Sequence, residues 1–500
     1  MTKDNKLSIL WFILGFGIFM SSRASKIIPF IGVAIIIAPI FILRFIRAQS
    51  PKKGNLLTIL GFLLSLNIAL WGLFDVGDKT SSIIFNIVRS SVLALLFSIP
   101  YIVDRLIYPK LKKNGILSTL SFPIAVTAIQ FLISLEGPFD GDMLSAVYGY
   151  GHPVFKQMAS IAGLWGLVFI LSWFASVINY VWQEEFKWGH IKTVTSIFAL
   201  ALSAILLFGA VKISSLMNPE SDTVKIAAII LLPEEGESFE PEGLLSKTPS
   251  PYEDTMSKIE ALTKEAAFHG TKIIVFQEAA IKINEKDENA FIERCKRIAV
   301  EHDVYFSVAY GVFPNKGKGW NKSILISRHG ELDIDYRKRY LLGLGDRFGE
   351  TLLYKKGPEV IQSADTPYGR IGVAICRDLS FAAYARQGGE QHVDIMLNPS
   401  YDVPRSKKSL YALRAIENGY SLVRPVYNGY SYAVDHNGKL LADMDSENTD
   451  TGIMYADVPS KGVNTIYTTI GDLLGWFCVL GLGVFVVMSV VGRIRAASTS

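Results

Sequence analysis

Three side chains in the C-terminal half of the sequence carry the raw material of acyl transfer. Glu278 closes the run Lys-Ile-Ile-Val-Phe-Gln-Glu, Lys338 lies in Asp-Tyr-Arg-Lys-Arg-Tyr, and Cys376 closes Arg-Ile-Gly-Val-Ala-Ile-Cys. A carboxylate beside a thiol can take its proton, and an ammonium favours the resulting thiolate and then the tetrahedral oxyanion. The protonated carboxyl can afterwards serve the leaving group as general acid. That cycle needs neither histidine nor metal. The three cysteines contain no CxxC pair and no zinc-like spacing, so neither a metal nor a cofactor is expected. Plainer readings stand beside this one: a lone strand cysteine is often an inert core thiol, and Glu and Lys at strand ends often form a solvated ion pair. Cys295, on a helical pattern, and Cys478, in an apolar run, keep the inert reading.

Positioning such groups requires an α/β domain, and the spacing of apolar residues between 222 and 469 supplies one. Strands are expected at 224–232, 272–276, 305–312, 323–326, 370–375 and 393–397, with helices at 252–268, 288–301 and 407–417. Further strands at 421–427, 431–434 and 452–458 complete the pattern. Each reactive residue falls where a strand is expected to end, which is where α/β folds present reactive side chains. The segment 233–250, rich in Glu, Pro, Ser and Gly, reads as a mobile loop; it or 341–353 is a candidate lid.

The remainder of the chain is of another kind. Half of the 500 residues are hydrophobic, and they concentrate in runs long enough to cross a bilayer at about 7–22, 27–43, 56–74, 83–103, 116–135, 160–182, 193–213 and 470–491. This implies a membrane domain over 1–215 with seven helices, a catalytic domain over 222–466 and a last span over 470–492. Lys3 and Lys6 ahead of a short first run would suit a signal peptide, but Arg23 and an immediate second run favour an anchor. An N-terminus inside the cell places Arg44, Arg47, Lys52 and Lys53, then Arg105, Lys110, Lys112 and Lys113, then Lys187 and Lys192, and finally Arg493 and Arg495, in the cytoplasm. The catalytic domain is then extracytoplasmic and both termini are cytoplasmic. The net charge of +4 reports this topology, and no basic groove suggests a nucleic-acid partner. Asn67, Gln130 and Asn179 are expected to pack helices, and no intramembrane acid or lysine array marks a pump. The loop 136–158, with Tyr148, Gly149, Tyr150 and Gly151, is a candidate interfacial segment.

The three reactive segments, in this order, resemble the nitrilase, or carbon-nitrogen hydrolase, superfamily over about residues 225–458. That resemblance implies an α-β-β-α sandwich in which Glu278 is the general base, Lys338 the stabilising cation and Cys376 the nucleophile. The layout of several spans, such a domain and one final span resembles the apolipoprotein N-acyltransferases. Gly163-Leu-Trp-Gly-Leu-Val-Phe-Ile-Leu is similar to a span signature of that family. Tyr336-x-Lys338-x-x-Leu341-Leu342-x-x-Gly345-Asp346 resembles its Tyr-x-Lys-x-x-Leu-Val-Pro-Phe-Gly-Glu, and Arg414-Ala-Ile-Glu-Asn-Gly with Val423-Arg424 and Asn428-Gly429 resembles the stretch after its nucleophile. Departures accompany the match. The family's Pro-Glu-Thr is Gln277-Glu278-Ala279 here, and its Cys-Tyr-Glu is Cys376-Arg377-Asp378. Asp346 and Asp378 keep the acidity and are expected to support the site, whereas Arg377 replaces an aromatic and alters the polarity beside the thiol. After Asn398-Pro-Ser the loop shortens to Tyr401-Asp-Val-Pro-Arg. Arg414, Glu417 and Arg424 are expected to brace the fold.

The resemblance implies a monomeric, multi-pass protein of the plasma (inner) membrane. Cys376 would take an acyl chain from a phospholipid and pass it to the α-amine of a lipoprotein's diacylglyceryl-cysteine. Two other readings stand: a membrane-anchored amidase for a small amide, and a non-enzymatic membrane binding or assembly protein with a vestigial nitrilase domain. A soluble amidase needs no helical bundle, while a thioester drawn from bilayer lipid needs both a membrane and protection from water.

Overall fold

The computed structural model describes residues 3–23, 25, 27–72, 79–112, 114–135, 151–214, 222–231, 250, 252–343, 349–403, 408–446 and 452–498. Most of the loops expected at 136–158 and 233–250, and the middle of 341–353, therefore lie outside the described residues. The chain divides into two compact units, one made of Met1–Glu136, Asp142–Ala210 and Asp472–Ser500, the other built around Val211–Gly471.

The first unit is helical: α1 (Lys3–Met20), α2 (Ala34–Ala48), α3 (Pro51–Ala69), α4 (Lys79–Leu111), α5 (Gly115–Leu135), the single turn α6 (Pro153–Lys156), α7 (Ala159–Gln183), α8 (Trp188–Lys212) and, after the second unit, α14 (Leu473–Ser498). Four of these, α4, α5, α7 and α8, are long and apolar enough to cross a membrane, and Leu7–Met20 and Leu473–Met488 are shorter apolar helices. The second expected span, 27–43, is corrected. Its helix starts only at Ala34, and its 15 residues rise only about 22 Å. Asn179 does pack helices, since its Nδ2 donates to the carbonyl of Ile40 at 2.9 Å. Asp104, which the expected span left outside, is buried within α4 and takes a bidentate contact from Arg47, at 2.9 Å through both Nε and Nη2.

In the second unit the strands are β1 (Thr223–Ile229), β2 (Ile273–Phe276), β3 (Ile281–Asn284), β4 (Tyr305–Phe313), β5 (Trp320–Ile326), β6 (Leu332–Arg337), β7 (Gln362–Thr366), β8 (Gly369–Val373), β9 (Ile395–Leu397), β10 (Ser400–Val403), β11 (Ser421–Arg424), β12 (Val426–Val434), β13 (Leu440–Asp445) and β14 (Ile453–Pro459). They form two seven-stranded sheets, ordered β14-β1-β2-β4-β5-β6 with β3 on β4, and β10-β12-β11-β9-β8-β7 with β13 on β12. Helices α9 (Tyr252–Phe268) and α10 (Glu288–Glu301) cover the first sheet, while α11 (Ala382–Glu390) and α12 (Lys408–Asn418) accompany the second; α13 (Ile466–Ile470) precedes α14.

Strand periodicity explains the layering. In β1, Ala227 and Ile229 face Met256, Ile259 and Phe291 of the covering helices, whereas Ile226 and Ala228 face inward. The inward residues meet Ile371, Val373, Ile395, Leu397 and Val423 of the other sheet in one apolar layer. Strands buried on both faces read as continuous apolar runs, which is why β1, β2, β4 and β9 were visible as sequence. The result is the expected α-β-β-α sandwich, with Cys376 packed against the layer between the sheets.

Candidate active site

The backbone at the end of each strand determines what its reactive residue can do. After β2, the N–H of Gln277 bonds to the carbonyl of Ile229 at 3.1 Å, and its side-chain Oε1 accepts from the N–H of Leu231 at 3.1 Å. The proline this position has in the resembled family could donate no such bond, so the substitution extends β1–β2 pairing. Ala279 then adopts φ +52°, a left-handed turn that carries the chain into β3 and leaves Glu278 fully buried between them. After β8, Cys376 itself has φ +46°, an uncommon conformation for a side chain with a Cβ, and its N–H donates to the carbonyl of Pro399 at 2.8 Å. Asn398 Nδ2 donates to the carbonyls of Ala374 at 2.6 Å and Cys376 at 3.3 Å, holding the turn from beneath.

Lys338 follows β6 directly, its N–H anchored to the carbonyl of Asn321 at 2.9 Å. Its ammonium is buried and gives 2.7 Å to Glu278 Oε1, 2.7 Å to Glu350 Oε1 and 2.8 Å to Glu350 Oε2. Burial favours the neutral amine, but the charges of Glu278 and Glu350 outweigh it and hold the group well above the ordinary lysine range. Asn321 Nδ2 donates to Glu278 Oε1 at 2.7 Å, and the N–H of Tyr401 donates to Oε2 at 3.0 Å. The Cys376 thiol, partly exposed, is pushed up to about 11 by burial and by the Glu278 charge, against the pull of Lys338 and Arg424. At rest it is therefore a thiol, and it becomes a nucleophile only when its proton has somewhere to go.

Glu350 is the residue that sequence reasoning missed. It starts a short 3-10 turn, Glu350–Leu352, and accepts from the N–H of Leu342 at 2.7 Å as well as from Lys338. Gly349 before it has φ +79°, and a Cβ there would lie 2.5 Å from the carbonyl oxygen of Leu342, so only glycine permits this approach. The signal was present: Phe348-Gly349-Glu350 repeats the Phe-Gly-Glu of the resembled motif, four residues beyond the Gly345-Asp346 first aligned with it. Asp346 lies outside the described residues. Burial raises the Glu350 carboxyl, and Lys338 only partly offsets this.

Asp378 does not reach Lys338. Its carboxylate accepts from Tyr336 Oη at 2.5 Å, the N–H of Tyr340 at 2.7 Å and the N–H of Ile375 at 3.1 Å. One side chain thus ties the Tyr336 hydroxyl and the Tyr340 backbone, on either side of Lys338, to the residue before Cys376. The Arg377 guanidinium lies 5.6 Å from the centre of the Phe381 ring. Arg414 ion-pairs with Glu417 and donates to the carbonyl of Leu379 at 2.9 Å, so that pair does brace the turn after the thiol. Among the described residues no group of His, Cys, Asp or Glu has the makings of a metal site.

Residues 246–467 match the carbon-nitrogen hydrolase family model. The chain is 24% identical over 361 residues to an apolipoprotein N-acyltransferase of Shewanella oneidensis, covering 65% of each protein, and 23% identical to one of Geobacter metallireducens, covering 64% of this chain and 71% of that one. A probable hydrolase, nit2, of Schizosaccharomyces pombe is 25% identical over 42% of this chain and 87% of its own length. Among solved structures, an amidase from Nesterenkonia sp. AN1 aligns with TM-score 0.41 and 16% identity over 50% of this chain and 97% of that one. The second unit thus resembles the carbon-nitrogen hydrolases over residues 246–467. Taken whole, the chain is apolipoprotein N-acyltransferase-like, although it spans only 65% of the length of the Shewanella relative.

Two outcomes follow from this geometry. Glu350→Gln leaves Lys338 paired with Glu278 and removes the bidentate charge-assisted contact, and the expected loss is about 1.5–3 kcal/mol of stability, read as a lowered denaturation midpoint in detergent. Burial raises the Asp378 carboxyl to about 7 from an ordinary 3.8, so the folded state holds an extra proton between those values. Its contribution to stability is present below about pH 4 and is lost as pH rises towards about 7. The melting temperature of the wild type should therefore fall across that window more than that of Asp378→Asn, which cannot ionise.

Proposed function

We propose that the protein is an N-acyltransferase that moves an acyl chain from a phospholipid, through a thioester on Cys376, to the α-amine of a lipoprotein's N-terminal diacylglyceryl-cysteine. The observation that carries the reading is the ammonium of Lys338 bonded at once to Glu278 and Glu350, with its charge bearing on the Cys376 thiol. The helices apolar enough to cross a membrane support a lipid donor, and the named N-acyltransferase relatives support the acceptor.

In this reaction Glu278 takes the thiol proton while the sulfur attacks the ester carbonyl of the donor. The tetrahedral oxyanion draws on the positive charge of Lys338, whose bidentate contact with Glu350 leaves one donor able to swing without losing that partner. Collapse breaks the ester C–O bond, and Glu278 returns the proton to the departing lysophospholipid oxygen. The acceptor amine then attacks the thioester, gives its proton to Glu278 and expels the Cys376 sulfur, which recovers the proton. Asp378 keeps the two turns in register for both halves.

On this reading the protein is a monomer of the plasma membrane, with its catalytic domain outside the cytoplasm and both termini inside. Purified protein given phospholipid and a diacylated lipopeptide should yield the triacylated peptide by mass spectrometry, and Cys376→Ala should yield none. Fatty acid release without acylated peptide would replace the transferase with a hydrolase. Undiminished transfer by Cys376→Ala would remove the thioester.

A further inference from the structure

One buried charge near the thiol has no carboxylate partner among the described residues. Arg424, at the end of β11, is fully buried, and its guanidinium carbon lies 3.7 Å from the centre of the Tyr411 ring. Nη1 donates to the carbonyl oxygen of Cys376 at 3.4 Å, while Nε and Nη2 have no hydrogen-bond partner among the described residues. The hydroxyl of Tyr432, directly across the β11–β12 ladder, is likewise buried and without a partner among them. Arg414, one helix away, shows how this fold treats a structural buried arginine: it receives Glu417 and donates to the carbonyls of Leu379 and Ser380. Arg424 receives no carboxylate, and an isolated buried cation is costly unless some state of the protein uses it.

The charged groups whose fields reach the thiol are Glu278, Lys338, Arg424 and Glu350; Arg377 and Asp378 share its turn. With the thiol protonated, the first four sum to zero, two carboxylates against an ammonium and a guanidinium. When the S–H bond breaks, its electron pair stays on sulfur and the proton goes to Glu278. Negative charge thereby moves from Glu278 to the sulfur, within the fields of both Lys338 and Arg424. We infer that Arg424 is a positioning residue whose guanidinium is a second counter-cation of the Cys376 thiolate beside Lys338, acting through the carbonyl and turn of that residue. The inference rests on the reading of Cys376 as nucleophile made above. It differs from a bracing role in one respect: a brace stabilises the resting fold, whereas an unpaired cation kept for the thiolate costs the resting fold stability.

The test measures Cys376 alkylation by iodoacetamide against pH in the full-length protein, read on the Cys376 peptide by mass spectrometry, with the melting temperature recorded in parallel. Arg424→Met keeps an apolar stem against Tyr411 and removes the charge. Its alkylation midpoint should rise by about 1 pH unit, a tenfold loss of thiolate at a given pH, while its melting temperature stays equal or rises. Arg424→Lys should restore the midpoint. An unmoved midpoint, or an Arg424→Met protein that melts lower or does not fold, overturns the inference in favour of a brace. Alkylation needs no acyl donor. A shifted midpoint in a protein that cannot transfer acyl chains would sink the proposed function alone, and normal transfer with an unshifted midpoint would sink this inference alone.

Discussion

An ammonium has three N–H donors, and in this protein all three of those of Lys338 rest on carboxylates inside a buried site. Much of the second unit follows from that constraint. The acids must arrive from different parts of the chain, Glu278 from the end of β2 and Glu350 from a turn that only a glycine at 349 allows. Each is then held by backbone or amide donors: Tyr401 and Asn321 for the first, Leu342 for the second. The cluster is expensive to desolvate, and removing Lys338 would leave two buried carboxylates uncompensated. On the proposed reaction its justification is chemical: Glu278, the group asked to accept the thiol proton, is held in place by fixed donors before substrate arrives.

The thiol side is arranged differently. Cys376 sits in strained left-handed backbone, backed by Asn398, with its carbonyl rather than its sulfur carrying the observed hydrogen bonds. Burial and the Glu278 charge push the thiol up to about 11, so on the proposed reaction it becomes a nucleophile only when its proton moves. Strain at functional positions persists only where the surroundings over-determine it, and here the apolar layer between the sheets does so.

How much of this was legible depended on whether the signal was local. Helices α9 and α10 were readable to the residue because amphipathic spacing and acidic first turns act within a few positions. Strand β6, which delivers Lys338, was not, since Leu332–Arg337 alternates with charged residues on a half-exposed edge and resembles a loop. Helix α11 hid behind Gly388 and Gly389, whose low helix propensity is overruled by close packing on Met396 and Asn418. Glu278 and Cys376 could be singled out because each ends a recognisable run, and Lys338 because it lies in the resembled motif Tyr336-x-Lys338. Glu350 could not be found by counting from Lys338, because an inserted stretch moves the motif's Phe-Gly-Glu along the chain. The helix of the second expected membrane span begins later than its apolar run, at Ala34, since hydropathy registers apolar residues and not where a helix starts.

The central claim is that Lys338, gripped by two acids, makes Cys376 an acyl acceptor. Intact-mass analysis of protein incubated with phospholipid and no amine acceptor tests it most directly. The account predicts a single added acyl chain on the Cys376 peptide of the wild type, absent from Cys376→Ser and from Lys338→Met. An unmodified wild type, or a Lys338→Met protein acylated as fast as the wild type, would contradict it.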